Sequence, residues 1–348
     1  STIISVSESP VARGTVWAGT DDGNLQVSTD NGATFTEVGK NITGLPSGAL
    51  TGDNPYWIAR IEASHFDAKT AYVAIDGHRS DDLKPYIFIT RDLGKTWQGV
   101  AGNLPAYGNL QVIKEDPKNR DLLYAGTEFG LYLSMDAGKS WEKFMTGYPT
   151  VRTDDILVHP RDGDLIVATH GRSLWIADDI TPLQQWNAQV AAADATLFDV
   201  RPAVAYLSDI KTDISTGGQR LFEGENPARG TAVQFHLKAG VSGDAKLTIS
   251  DLSGRMLCEN TVKAAAGIHR VQWTLVAPGL AAGGGGRGGR GGAPANAEGG
   301  AAPQGGRGAN GPNLDCAGAN AGGGRGGAAN VAGPGSYVAT LTVGGKTY

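Results

Sequence analysis

A chain of 348 residues has room for two domains of ordinary size, each with its own core. Its net charge of −5 gives no reason to expect nucleic acid or an anionic membrane surface as the main partner, and no apolar run reaches the length of a membrane span. Two cysteines, Cys258 and Cys316, are too few for a disulfide framework and lack metal-ligand spacing, so one bridge between them and two unpaired thiols are both open.

From the first residues, short β-rich runs bounded by turn residues predict strands at 3–6, 16–19 and 25–28. A corner follows, built on Ser28, Asp30, Gly32, Thr34 and Phe35. The hydroxyl and carboxylate can accept backbone N–H groups inside a tight turn, and Gly takes a positive φ there. The aromatic is expected to re-enter a strand and pack beneath the turn. The corner returns as Thr90, Asp92, Gly94, Thr96 and Trp97, and again as Ser134, Asp136, Gly138, Ser140 and Trp141. Its aspartates lie 62 and 44 positions apart, and prolines 46, 105 and 149 keep the same phase at intervals of 59 and 44. A period near 44 residues is that of propeller blades, the second carrying an insertion. Further strands are predicted at 57–63, 71–75 and 86–90, then 110–114, 122–126 and 131–134, then 155–158, 165–169 and 174–177, with outer strands starting at Phe35, Trp97 and Trp141.

The repeated corner resembles the Asp box, or BNR repeat, of sialidases, sortilin-like receptors and many bacterial propeller proteins. The resemblance implies the turn between the third and fourth strands of a blade, a structural role. The run from Val167 through Thr169-His170-Gly171-Arg172 to Leu183 is similar to the last repeat of bacterial sortilin-like, BNR-repeat proteins. Those proteins are secreted or periplasmic and carry an Ig-like β-sandwich next, so a periplasmic or extracellular mature protein, or a fragment of a longer precursor, is expected.

The fold class expected is therefore all-β: a partial β-propeller of about four blades over 1–180, a short helix and connector over 181–229, and an Ig-like β-sandwich over 230–348. A helix is predicted from Thr181-Pro182 to about residue 193, with Pro in the first turn where its missing N–H does no harm. Sandwich strands are predicted at 231–238, 245–251, 256–261, 269–275 and 336–343. Between the last two lies a Gly-rich tract, 281–335, whose composition cannot bury enough surface to offset its ordering cost. A neighbouring surface is expected to hold this tract, with Arg287, Arg290, Arg307 and Arg325 as partner anchors.

Turns at one end of the blades gather Asp21, Asp22, His78, Arg79, Asp81, Asp82, Glu128, His170 and Arg172. Of these, Asp22, His78, Arg79, Glu128, His170 and Arg172 form a possible ligand rim, although hairpin turns are polar for backbone reasons alone. Sialidase machinery is missing: no Arg-Ile-Pro run occurs, and Arg60 is the nearest arginine on an inner strand. A general glycosidase needs two carboxylates facing across a cleft. No catalytic residue, metal or cofactor is assigned. Protein partners are expected, the outer face of a bacterial respiratory or photosynthetic membrane complex among them, because an unfinished ring leaves sheet edges and blade faces to cover. The opposing expectation is a fragment of a glycoside hydrolase or peptidase-like enzyme.

Overall fold

Alternation of apolar and polar residues along the short runs builds antiparallel sheets, in a computed structural model describing residues 1–144, 146–205, 229–241, 243–277 and 331–348. The chain divides into two units, Ser1–Asn187 and Ala188–Tyr348. In the first, strands β1 (Ile3–Glu8), β2 (Val16–Thr20), β3 (Leu25–Ser28) and β4 (Thr36–Glu37) make one four-stranded sheet. A second sheet follows with β5 (Trp57–Ala63), β6 (Ala71–Gly77), β7 (Asp82–Thr90) and β8 (Gln98–Gly99). The third has β9 (Leu110–Glu115), β10 (Leu123–Thr127), β11 (Gly130–Ser134) and β12 (Glu142–Lys143). The fourth stops at three strands, β13 (Thr153–Val158), β14 (Leu165–Thr169) and β15 (Leu174–Ala177). Strand order within every sheet is sequential, the meander of a propeller blade, and the unit is a partial β-propeller.

Blades stack face to face, so each core lies between two of them. Trp17, Leu25 and Val27 of blade one meet Ile58, Ile61, Val73 and Phe88 of blade two. Ala74, Ile87 and Ile89 meet Leu110, Ile113 and Tyr132, and Tyr124, Leu131 and Leu133 meet Ile156, Val158 and Val167. Hydroxyls help at the inner edge: Ser5 and Ser7 of β1 accept the backbone N–H groups of Ile61 and Ala63 at 2.8 and 3.0 Å.

The three repeated corners are nearly superimposable in their bonding. In each, the hydroxyl of Ser28, Thr90 or Ser134 donates to the aspartate and accepts the glycine N–H at 2.8–2.9 Å. The aspartate also takes the N–H and hydroxyl of Thr34, Thr96 or Ser140. Positive φ falls on two residues per corner, not on Gly alone: Asn31, Leu93 and Ala137 sit near 60° ahead of Gly32, Gly94 and Gly138. The aromatics do something other than pack beneath their own turns. Trp97 and Trp141 reach back to the preceding blade, where their indole N–H groups donate to the carbonyls of Val38 and Val100 at 3.2 and 3.0 Å. Phe35 makes no such bond among the described residues and is 44% exposed, against 8% and 4% for the two tryptophans.

These bonds set the acid response. The Thr34 hydroxyl and N–H, then Ser28, hold Asp30 at a pKa of about 2, and the Thr96 hydroxyl and N–H hold Asp92 below its ordinary value. Burial works the other way at Asp136, but the bonds from Ser140 outweigh it and its pKa is also lowered. Since the folded carboxyls titrate below their unfolded value near about 4, their stabilisation is complete above that pH and is lost as the pH falls through the lowered values. Thermal melts between pH 5 and pH 2 should show this loss. Asp136→Ala should flatten the slope and cost about 1–2 kcal/mol at neutral pH, read from the urea midpoint.

After β15 the chain forms two short helices, α1 (Thr181–Gln184) and α2 (Ala188–Ala192), rather than one. The second unit pairs β16 (Ala195–Leu197) with β17 (Thr231–Leu237), and β17 with β20 (Gly267–Trp273). Its other sheet runs β19 (Met256–Lys263), β18 (Asp244–Asp251), β21 (Tyr337–Val343), β22 (Lys346–Thr347). Val233, Phe235 and Val271 of the first sheet share a core with Leu247, Ile249 and Leu341 of the second. Most of the glycine tract lies outside the described residues, and with it Arg287, Arg290, Arg307, Arg325 and Cys316. Cys258 is buried and disulfide-bonded. The tract's last part is described: Val331 bridges to Val276, and the Ala332 N–H donates to the Leu275 carbonyl at 2.7 Å.

Candidate functional site

One feature recurs in all four inner strands and is invisible to strand patterning. Each carries a bulge at the same level, leaving Ile4, Ala59, Gln111 and Asp154 without a partner in the ladder. A bulge re-aims side chains, and here it lies near the end of the blades that the predicted rim occupies. Gln111 turns to Asp76 at 3.2 Å, and Asp154 turns to Arg152 and His170 at 2.6 and 3.2 Å.

The rim residues fall into separate groups. Asp22 is bound by the hydroxyl of Ser1, ahead of β1, and by the Thr20 hydroxyl and Asn24 amide of its own hairpin, which lower its pKa. His78 Nδ1 lies 2.7 Å from buried Asp76, which also accepts the amide of Asn109 at 3.0 Å across to blade three. The His78 ring meets Trp57 edge-on at 5.5 Å, and the Arg79 guanidinium lies 4.1 Å over the same indole. Glu128 engages through its backbone, donating to the Asn109 carbonyl at 3.1 Å. His170 stands by Asp154, and Arg172 holds its turn through its N–H to Thr169 and its carbonyl to the Trp175 indole. Asp82 accepts the hydroxyls of Tyr56 and Tyr86 at 2.8 and 2.7 Å, and burial followed by that carboxylate pushes Tyr56 up to about 12. Only the His78–Arg79 pair comes together; no contact among the described residues joins it to Asp22, Glu128 or His170.

Deeper along the inner strands, charges pair across blades, and the sequence reading missed most of them. Arg60 meets Asp155 at 2.9 Å, linking blades two and four. Lys114 meets Glu62 at 2.8 Å, and His65 Nε2 lies 3.4 Å from the same carboxylate. Glu115 accepts the His65 N–H at 2.6 Å and the Ser64 hydroxyl at 3.1 Å, while burial raises its pKa. Glu62 and Glu115 are both buried, so they tie blades together and do not face a cleft. Among the described residues, no group of three or more His, Cys, Asp or Glu could hold a metal. No helix among them is long and apolar enough to cross a membrane. In the second unit a cleft of about 650 Å³ is lined by Val200, Val233, Trp273 and Tyr337; Ala205 and Thr231 also border it, and the stretch 206–228 between them lies outside the described residues.

The surface most unlike its counterparts is the outer side of blade four. In register with blade three, Leu174 and Ile176 stand where Leu131 and Leu133 stand. They are 64% and 59% exposed, whereas Leu131 and Leu133 are 1% and 5%. Leu157 of β13 is exposed beside them, and among the described residues no fourth strand pairs with the outer edge of β15.

Stacked meanders joined by tryptophan-to-carbonyl bonds define a β-propeller segment. No family model matches the chain. It is 27% identical over 147 residues to the oligoxyloglucan-reducing end-specific xyloglucanase of Emericella nidulans, a match covering 39% of this chain and 16% of that protein's length. Among solved structures it is similar to the GH74 xyloglucanase of Xanthomonas campestris, with TM-score 0.41 and 18% identity over 57% of this chain and 32% of that one. It is also similar to YCF48 bound to D1 peptide, with TM-score 0.38 and 15% identity over 74% and 68% of the two chains. YCF48 from Cyanidioschyzon merolae gives TM-score 0.34 and 10% identity over 78% and 72%.

Proposed function

We propose that this chain is a non-catalytic, extracytoplasmic interaction or scaffold subunit that docks a protein partner through the uncovered side of its fourth blade. The observation that carries the reading is the exposure of Leu174 and Ile176 at positions buried in blade three. Exposed apolar faces of this kind mark interaction sites. The Asp-box, sortilin-like repeat pattern and an Ig-like identity for the sandwich belong to the same proposal, as does a large assembly such as the outer face of a bacterial membrane complex. A disulfide at Cys258 suits an oxidising compartment.

One observation favours a second reading, the fragment of a glycoside hydrolase: the matched sequence relative is a xyloglucanase. Against it, the carboxylates near the inner strands are engaged by partners, Asp76 by His78 and Asn109, Asp154 by Arg152, Asp155 by Arg60. Two assays separate the readings. Protein purified from its source should elute with a partner in fixed stoichiometry, and Leu174→Asp/Ile176→Asp should release that partner with the melting temperature unchanged. Incubation with xyloglucan oligosaccharides should produce no new reducing ends; turnover overturns the non-catalytic reading.

A further inference from the structure

In blades one to three the outer strand is only two residues long, yet it is placed identically each time. Glu37, Gly99 and Lys143 pair with Gln26, Phe88 and Tyr132, and Thr36, Gln98 and Glu142 pair with Val27, Ile89 and Leu133. The next residue then donates its N–H to the third-strand carbonyl one residue ahead of the pair. Val38 bonds Leu25, Val100 bonds Ile87 and Phe144 bonds Leu131, each at 2.9 Å. Ahead of the pair stands the aromatic, which for Trp97 and Trp141 bonds a carbonyl of the preceding blade.

Blade four has the receiving parts, and among the described residues no strand lies in them. The β14–β15 register puts Leu174, Trp175 and Ile176 where Leu131, Tyr132 and Leu133 stand. Ala177 replaces the hydroxyl of Ser28, Thr90 or Ser134, so the corner that returns the chain along the sheet cannot form. The chain instead turns away at Asp179, whose φ is 56°, while its N–H goes to Asp164 and that of Ile180 to the Gly163 carbonyl. Among the described residues no backbone bond reaches the outer edge of β15. Nor, among those residues, does any donor reach the Phe144 carbonyl, counterpart of the Val38 and Val100 carbonyls.

We infer that the outer edge of β15 is a peptide slot that takes an extended segment of another polypeptide by strand addition. The segment has the pattern aromatic, polar, polar or glycine, aliphatic, as in Phe35-Thr36-Glu37-Val38 and Trp97-Gln98-Gly99-Val100. Backbone bonds supply the affinity, as in strand addition generally, and the side pockets supply the selection. The last residue's N–H meets the Leu174 carbonyl, and a leading tryptophan sends its indole N–H to Phe144. This inference rests on the docking reading above and names the element by which the partner is held.

The test uses the full chain and a fluorescein-labelled synthetic peptide with the sequence of residues 95–101, Lys-Thr-Trp-Gln-Gly-Val-Ala. Anisotropy should rise to saturation at one peptide per chain. N-methylation of the peptide's valine, which deletes the donor to Leu174, should weaken binding at least tenfold, and tryptophan to alanine should weaken it severalfold. Ile176→Asp, a change at an exposed side chain, should abolish binding with the melting temperature unchanged. Absence of saturation, or equal binding of the N-methylated peptide, overturns the inference. So does a dimer of the chain that Ile176→Asp disperses, because a second copy would then fill the slot. If the peptide fails while the source partner still depends on Leu174 and Ile176, only the slot is lost; reducing ends released from xyloglucan would instead remove the docking reading itself.

Discussion

Replacing Asp116 with alanine is expected to destabilise the propeller unit by about 3–5 kcal/mol, the range in which a buried polar network is broken. Asp116 is fully buried at the end of β9, where it accepts the N–H groups of Lys118 and Asn119 at 2.8 and 3.1 Å. It also takes the side-chain amide of Gln184 at 3.1 Å and the hydroxyl of Tyr124 at 3.3 Å. Alanine strands all four donors, two of them on the buried side chains of Tyr124 and Gln184. The loss is larger than for an exposed corner aspartate because the donors come from three places: the β9–β10 turn, the middle of blade three and helix α1. Asn119 makes a weaker link to the same helix, its amide lying 3.5 Å from the Leu183 carbonyl and 3.4 Å from that of Trp186. Urea unfolding followed by tryptophan fluorescence should show the shift in midpoint. Asp116→Asn should lose about half as much, since one oxygen still accepts the backbone pair while its amide faces donors.

That network also marks where reading the sequence stops. The corners were legible because their chemistry is local: hydroxyl, carboxylate and glycine satisfy one another within five residues, so spacing alone exposes them. The strands of the first three blades were legible for the same reason, through alternation and turn residues. What a side chain does across a blade boundary was not. Asp76, Glu115 and Asp116 look like ordinary strand-end acids, and only the stacking of blades brings Asn109, His65 or Gln184 to them. The aromatics of the corner were expected to pack under their own turns because nothing in the local pattern reveals that the previous blade offers a free carbonyl.

The rim shows a different limit. Asp22, His78, Arg79, Glu128, His170 and Arg172 group in the sequence only because the turns carrying them follow from strand order. Whether they meet depends on the bulges at Ala59, Gln111 and Asp154, which appear only once pairing partners are known. The bulge aims Asp154 at His170, while Asp76 claims His78, so the two histidines end in separate acid pairs. The open side of blade four was half legible: the absent corner after Ala177 is a sequence fact, but the exposure of Leu174 and Ile176 required the register against β14.

Gly126→Ala is the second large effect, and it reports on how closely blades three and four approach. Gly126 lies in β10, where an added Cβ would stand 2.5 Å from Val112 Cγ1, 2.7 Å from Thr153 Cγ2 and 2.8 Å from the Thr153 carbonyl. Two of these are side-chain atoms and one is backbone of the inner strand of the next blade. The side chains have little room to withdraw, since Val112 and Thr153 are both buried, and the carbonyl can move only if β13 moves. Overpacking of this kind costs about 1–3 kcal/mol, and the backbone contact puts this site at the upper end. Val112→Ala and Thr153→Ser each remove one of the two side-chain contacts. Combined with Gly126→Ala, they should therefore cost less than the sum of the separate losses, as expected for residues that share one space. A triple variant that regains about half of the Gly126→Ala loss in urea melts is the expected result, the remainder reflecting the carbonyl. Strictly additive losses would mean that β13 shifts freely and that the close contact does not hold the two blades.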